Sequence, residues 1–269
     1  RTGRTRAAPP DGGALVHACD FLLRHTGGVV DTFRCTSASR LAHESMSGTA
    51  PTDATYLLLE YAGSWGRKAL AESRLPADVR DRLGGLEGVR VLLIRRHGGL
   101  SGPGVRIFTI QVTQAGCTIE TGLLREATEV LHLDLEALAA GAHLGLTPYE
   151  HDLHLVCTNG RRDLCCAELG RPVAAALTAR WPEETWETTH LGGHRFASTM
   201  LTFPSALCLG RLDPESAEMA IEEVLAGRHP IGFSRGRVGV SEVAQVAQLH
   251  VLEQTGLDEL DEVQVIDEE

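Results

Sequence analysis

The chain has 269 residues, a formal net charge of −11, and 43% hydrophobic against 23% charged residues. That composition suits a folded globular protein with a sizeable core, in one large or two ordinary domains. Its acidic balance argues against a nucleic-acid partner, because neutralising phosphates needs clustered Lys and Arg.

No run approaches the ~18 apolar residues of a membrane span. The start, RTGRTRAAPPDGGA, is basic and lacks the apolar core of a signal peptide; residues 1–13 are expected to be a disordered lead-in. Seven cysteines, an odd number, do not read as a secreted disulfide framework. They point to a reducing cytoplasm, where clustered cysteines bind metal or do redox chemistry.

Regular elements are predicted from residue 54. ATYLLLEYAG (54–63) is an apolar run ending in Gly and reads as a buried strand. Residues 76–88 open on Pro76 and space Val79, Leu83 and Leu86 as a helix would. Strands are expected at 88–96 and 105–113, with HGGLSGPG (97–104) as a hairpin loop between them. Its glycines do not make a phosphate site, since neither GxxxxGK[ST] nor strand–GxGxxG–helix context is present. Residues 130–145 carry Leu131, Leu135, Leu138 and Ala142 on one helical face, and Pro148 marks a boundary. An N-terminal α/β region over 14–147 and a second domain over 148–269 follow.

The second half is clearer. DLHLVC (152–157) alternates, with Leu153, Leu155 and Cys157 on one side and His154 on the polar side. Residues 166–181 form a predicted helix with Leu169, Val173, Leu177 and Trp181 in a stripe, kinked or started late by Pro172. TWETTH (185–190) is a strand, and 198–212 are two short strands around Pro204 and Ser205. Asp213 and Pro214 open a helix with Ala217, Ala220, Ile221, Val224 and Leu225 inward, stopped by Gly227. Ser241 caps a last helix with Ala244, Ala247 and Val251 along it, and the terminal DELDEVQVIDEE is strongly acidic. The order strand–loop–helix–strand–loop–hairpin–helix over 152–226 is that of a thioredoxin-like fold. The first half runs strand–helix–strand–strand, so the expected class is α/β, with a thioredoxin-like C-terminal half on a related or partly duplicated N-terminal half.

Chemistry concentrates in CTNGRRDLCC (157–166) and HLGGH (190–194). If strands 152–157 and 185–190 are parallel neighbours, Cys157 and His190 leave the sheet at the same edge, where ligands gather in open α/β sheets. Cys166 returns near a helix N-terminus, whose dipole favours a thiolate. Gly192 and Gly193 permit a tight ligand loop. Two thiols and two imidazoles suit zinc or an iron–sulfur cluster. Their nine-residue cysteine spacing is long for a zinc knuckle, which places cysteines about two to four apart. The bland alternative is core cysteines with surface histidines. Cys19, Cys35, Cys117 and Cys208 are expected to be small buried hydrophobes, Cys35 least clearly; Trp181 and Trp186 are expected to pack.

The segment LVCTNGRRDLCCAELGRPVAAAL with WETTHLGGHRFASTMLTFPSALCLGRL resembles the sucrase/ferredoxin-like family, thioredoxin-like ferredoxins of the actin-patches-distal type. The matching positions are Cys157, Arg162, Asp163, Cys166, His190, Gly192, Gly193, His194, Arg195, Phe196 and Ala197. In the first half they are GTA (48–50), Glu60, Gly63, Trp65 and Gly66. The resemblance implies a [2Fe–2S] cluster held by Cys157, Cys166, His190 and His194, and one-electron transfer to a redox partner protein. Cys165 departs from the family pattern and competes with Cys166; the Arg162–Asp163 register favours Cys166. Arg161, Arg162 and Arg195 read either as positive charge for an acidic donor or as solvated loop residues. The word sucrase implies no glycosidase chemistry, since no carboxylate pair is singled out, so a carrier is expected rather than an enzyme. The alternatives are a structural zinc module and a thioredoxin-like thiol oxidoreductase, the latter disfavoured by the missing C-x-x-C. Imidazole ligands would raise the potential above that of all-cysteine ferredoxins and make it pH-dependent.

Overall fold

The computed structural model describes residues 33–265; the expected lead-in over 1–13 and Cys19 lie outside them. A mixed sheet of ten strands runs in the order β10-β9-β8-β6-β7-β2-β1-β3-β4-β5. The first half contributes β1 (Thr55–Glu60), β2 (Val89–Arg95), β3 (Val105–Thr113), β4 (Gly116–Leu124) and the short β5 (Thr147–Pro148). The second contributes β6 (Leu153–Cys157), β7 (Thr185–Thr188), β8 (Met200–Phe203), β9 (Leu207–Leu209) and β10 (Ser234–Arg237). The helices are α1 (Cys35–Leu41), α2 (Ala77–Gly84), α3 (Leu135–Ala139), α4 (Leu164–Arg180), α5 (Pro214–Leu225) and α6 (Glu242–Thr255).

The two halves repeat one strand plan. In each, a parallel pair (β1 with β2, β6 with β7) has its first strand flanked on the other side by an antiparallel one (β3, β8), continued antiparallel by β4 or β9. Helix α4 crosses over between β6 and β7, and the β8–β9 hairpin leads into α5. That is the thioredoxin-like arrangement, and the class is α/β. The halves join through β2 and β7, which run antiparallel, with Ile94 opposite Thr188 and Arg95 opposite Glu187.

Strands β1, β6 and β7 are buried along nearly their whole length, as expected for parallel strands covered on both faces. Leu57 and Leu59 of β1 pack with Val79 and Leu83 of α2; Tyr56 and Leu58 join Leu155, Trp186, Phe203 and Cys208 of the other half. Four strand spacings separate β1 from β8, about 19 Å in a flat sheet. Yet the Tyr56 and Phe203 rings lie 5.5 Å apart, and Phe108 of β3 meets Trp186 of β7 at 5.7 Å. The sheet therefore bends on itself and wraps one core between its halves. Among the described residues, no helix is long and apolar enough to cross a membrane.

Several expectations are corrected. Segment 97–104 is no hairpin loop, because β1 lies between β2 and β3; its glycines look the same in a crossover. The expected helix over 130–145 splits into a 3-10 turn, Ala127–His132, and α3. Asp134 breaks the run, its side chain accepting the Ala137 N–H as an N-cap, and Ala142 is exposed. Helix α4 starts at Leu164, behind its Asp163 cap, and carries Pro172 inside it rather than starting late. Leu169 and Leu225 are exposed. On α6, Val251 is exposed while Gln245 and Gln248 are buried; Gln245 accepts the Ala50 N–H at 3.0 Å and donates to the Ala50 carbonyl at 3.2 Å. A polar side chain inside could not be read from the apolar spacing. His154 is fully buried, not solvent-facing, with Nδ1 3.0 Å from Thr202 Oγ1, because the β6–β8 face is covered by helices. Strands β4 and β10 and helix α1 had no periodic signal.

Candidate metal centre

Cys157 is the last residue of β6, and its ladder partner Thr188 is the last residue of β7. The chain leaves both strands at one edge, so His190 emerges beside Cys157. After Cys157 the backbone turns sharply: Asp163 N–H and Arg162 N–H both donate to the Asn159 carbonyl, at 3.2 and 3.1 Å. Asp163 then caps α4 by accepting the Cys165 N–H at 2.9 Å, which puts Cys166 in the first helical turn. Gly170 lets α4 rest on the strand end, since a Cβ there would stand 3.2 Å from the Cys157 carbonyl carbon.

Three donors converge. His190 Nδ1 lies 3.9 Å from Cys157 Sγ and 3.7 Å from Cys166 Sγ, and the three ligand atoms lie within 4.8 Å of one another. Both thiols are 1% exposed. The pair is electrostatically split. The Cys166 S–H donated to Cys157, joined by His190, holds the Cys157 thiol well below its ordinary range. The same hydrogen bond, with burial, pushes Cys166 up. Cys157 is thus the readier of the two thiols to give up its proton, and a metal would displace the protons that remain.

His194 stands next to this trio. Its ring centroid is 5.8 Å from that of His190, and its Nε2 lies 3.7 Å from Asp163 Oδ2. Burial lowers its pKa although Asp163 opposes the shift, so the ring favours the neutral, metal-binding form. His194 also forms a second grouping with Asp163 and Cys35, ligand atoms again within 4.8 Å of one another. Cys35 begins α1 and belongs beside the site rather than in a remote core. Cys165 turns away from the trio: Thr36 Oγ1 of α1 donates to its Sγ at 3.5 Å. Cys117 is partly buried and its thiol is pushed up to about 12 by burial; Cys208 is fully buried.

The histidine loop is gripped by two guanidinium groups. Arg90, from the start of β2, donates to the Leu191 carbonyl at 2.8 Å and the His190 carbonyl at 3.4 Å, and pairs with Asp53 at 2.6 Å. Arg235, from β10, is 2% exposed. It donates to the Gly192 carbonyl at 3.2 Å, to Thr49 Oγ1 at 3.0 Å, and to the Thr49 carbonyl. Gly192 and Gly193 have φ of +91° and +65°, the left-handed region where glycine carries no steric penalty. A Cβ on Gly193 would also stand 2.7 Å from Arg235 Cζ, whereas one on Gly192 meets nothing within 4 Å. A third polar group locks the strand ends. Thr158 Oγ1 donates to Glu187 at 2.7 Å, and Glu187 also takes Arg95 at 2.7 Å and His97 at 2.8 Å. Burial raises the Glu187 pKa, but these donors outweigh it and hold the carboxyl below its ordinary range.

Of the three loop arginines, Arg195 is spoken for by Glu44 at 2.6 Å, while Arg161 and Arg162 are exposed. Arg90, Arg235, Asp53 and Cys35 were not found from the sequence. Each is distant in the chain and sits in no motif; GTA at 48–50 was the sole pointer, through Thr49. The arrangement can bind a metal through Cys and His donors. The model of the sucrase/ferredoxin-like family matches residues 46–236, a stretch that contains both ligand loops and both arginines. No curated protein and no solved structure matches the chain.

Proposed function

The chain belongs to the sucrase/ferredoxin-like family, and on that premise we propose that it is a one-electron carrier whose Cys157, Cys166, His190 and His194 hold a [2Fe–2S] cluster. The observation that supports this most directly is the convergence of two buried sulfurs on His190 Nδ1, with a second imidazole alongside. The donor set fits the group: thiolates and neutral imidazoles are the ligands of His-containing [2Fe–2S] centres. When bound, the cluster supplies a one-electron acceptor at a potential raised by its imidazole ligands.

The chain's own residues do the rest. Cys157, the more acidic of the two thiols, would supply the first thiolate. Asp163 Oδ2 stands 3.7 Å from His194 Nε2, where its charge favours a proton on that nitrogen and would leave the other for iron, the usual effect of a carboxylate behind a metal-bound histidine. Arg90 and Arg235 hold the loop carbonyls, so both rings stay aimed before any metal arrives. Both histidines are partly exposed, which gives a redox partner protein a short approach and water a route to exchange a proton. In a chain of this composition we place the protein in the cytoplasm.

A second reading has one observation in its favour. The 4.8 Å grouping of Cys157, Cys166 and His190 is compact enough for a single Zn²⁺ with a fourth donor. Purification without air separates the two. The cluster reading requires a red-brown protein with about two irons and two sulfides per chain and an EPR signal on reduction. Changing His190 or His194 to Cys should lower the potential toward the all-cysteine value of about −400 mV. A colourless protein holding one zinc and no sulfide, from cells supplied with iron, overturns it.

A further inference from the structure

Beside the metal centre lies a cavity of about 430 Å³, within the range of about 300–1,000 Å³ typical of small-molecule sites. Beside His190 its wall carries five cations, Arg67, Lys68, Arg80, Arg90 and Arg162, and no acidic side chain. Such a concentration of cations is unexpected in a chain of net charge −11. Among the described residues only one of these cations is paired with a carboxylate: Arg90, with Asp53. The Arg80 guanidinium donates to the Ser73 carbonyl at 2.9 Å. Nearby Glu72 takes the backbone N–H groups of Arg67 and Lys68.

The cations are not drawn together by local sequence. They come from the loop after β1, from α2, from β2 and from the loop that follows Cys157. Asn159 stitches two of these segments: its side chain donates to the Gly66 carbonyl at 3.3 Å and accepts the Arg162 N–H at 3.2 Å. Like charges sharing one concavity repel, and an anion of charge −2 or more relieves that repulsion. The low-dielectric walls also focus the field on whatever enters. Guanidinium forks suit carboxylate and phosphate oxygens.

We propose that this cavity binds a small polyanion, a molecule carrying two or more phosphate or carboxylate groups, against the His190 edge of the metal centre. The concave shape favours a small molecule over the flat acidic patch of a docking protein. A consequence rests on the cluster reading above. An anion held beside His190 stabilises the more positive, oxidised centre, so bound polyanion lowers the potential. By reciprocity, reduction loosens the polyanion by the same factor.

The test uses the full chain with its metal. Inorganic pyrophosphate and citrate are titrated by calorimetry at low and high salt, against the Lys68→Gln/Arg80→Gln double variant; neither residue touches the proposed ligands. Binding that weakens tenfold or more in the variant, with metal content unchanged, supports the site, and the stronger of the two probes tells phosphate from carboxylate. Absence of binding, or equal binding by the variant, overturns it. So does capture of a polyglutamate peptide with neither small probe bound, which assigns the cavity to a protein partner. The midpoint potential is then measured with and without saturating probe. A fall supports the coupling and an unchanged value overturns it. These binding arms read the cavity whatever metal is present, so failure of the site and failure of the cluster reading are separable.

Discussion

Gly193→Ala tests whether the histidine loop is held as described. Both loop glycines occupy the left-handed region, so an alanine at either position carries a backbone penalty of about 1–2 kcal/mol. At Gly192 that is the whole cost, since its new Cβ meets nothing within 4 Å. At Gly193 the methyl runs into the Arg235 guanidinium, with Cζ 2.7 Å away. Arg235 has little room to retreat: it is buried and fixed by Gly192 and Thr49. Forcing such an overlap in a packed interior adds about 1–3 kcal/mol. The expectation is a loss of about 2–5 kcal/mol for Gly193→Ala against about 1–2 kcal/mol for Gly192→Ala. Urea unfolding of the metal-free chain measures both, and metal content per chain reads the site itself. Trimming the arginine, as in Gly193→Ala with Arg235→Met, should give a smaller penalty than the two single changes added, because the residues are in contact. Equal losses at the two glycines, or strict additivity with Arg235, would refute the clamp.

Two further outcomes are expected. Cys166→Ser should abolish most metal binding, whereas Cys165→Ser, whose sulfur faces Thr36, should leave metal per chain unchanged; elemental analysis of both reads the difference directly, and the reverse result would assign the ligand to Cys165. In acid, His154 and His229 should destabilise the fold. Burial lowers each to about 4 in the folded state, while the unfolded chain takes up the proton near the ordinary histidine value of about 6.5. Their stability contribution is therefore intact above about pH 6.5 and is lost as pH falls toward about 4, up to about 3 kcal/mol for His154 at 1.36 kcal/mol per pH unit. His154→Gln should flatten that slope in urea titrations across the window, and an unchanged slope would count against a neutral buried His154.

The sequence made the second half legible because its signals were local. Strand β6 announces itself by its alternation, Asp213 and Ser241 cap helices within a few residues of themselves, and Cys157 and His190 fall at or just past strand ends. Topology was legible only as far as parallel β6 and β7 could be supposed from the helix between them. What escaped depends on distance. The seam between β2 and β7 leaves no trace in either strand, so 97–104 passed for a hairpin loop. Burial of His154, Gln245 and Gln248 follows from partners far along the chain, not from periodicity. Arg90 and Arg235 look like ordinary surface arginines until the fold brings them to three consecutive carbonyls, Arg90 to those of His190 and Leu191 and Arg235 to that of Gly192. Cys165 and Cys166 differ by one residue in sequence but by 100° around the helix, and that rotation sends one sulfur to α1 and the other to His190.

The antiparallel seam also explains what the first half contributes beside a centre whose four proposed ligands lie in the second. The halves share a strand plan, and His97 follows the end of β2 by two residues, as His190 follows the end of β7. Yet no cysteine stands at the end of β1, where Glu60 instead accepts the Arg106 N–H at 3.0 Å, and His97 is engaged by Glu187. Because β2 and β7 run in opposite directions, the end of one parallel pair lies at the start of the other. The edge that could have carried a second set of ligands is thus turned away from the first. What the first half does present to the histidine loop is the beginning of β2, and Arg90 is the second residue there. A parallel seam would have put Arg95 and His97 in that position and left the Leu191 carbonyl without a donor. The direction of one strand pairing decides that the first half adds its own cations, Arg90 in the clamp and Arg67, Lys68 and Arg80 in the neighbouring cavity, to the second half's Arg235 and Arg162, around sulfurs and imidazoles that the second half supplies.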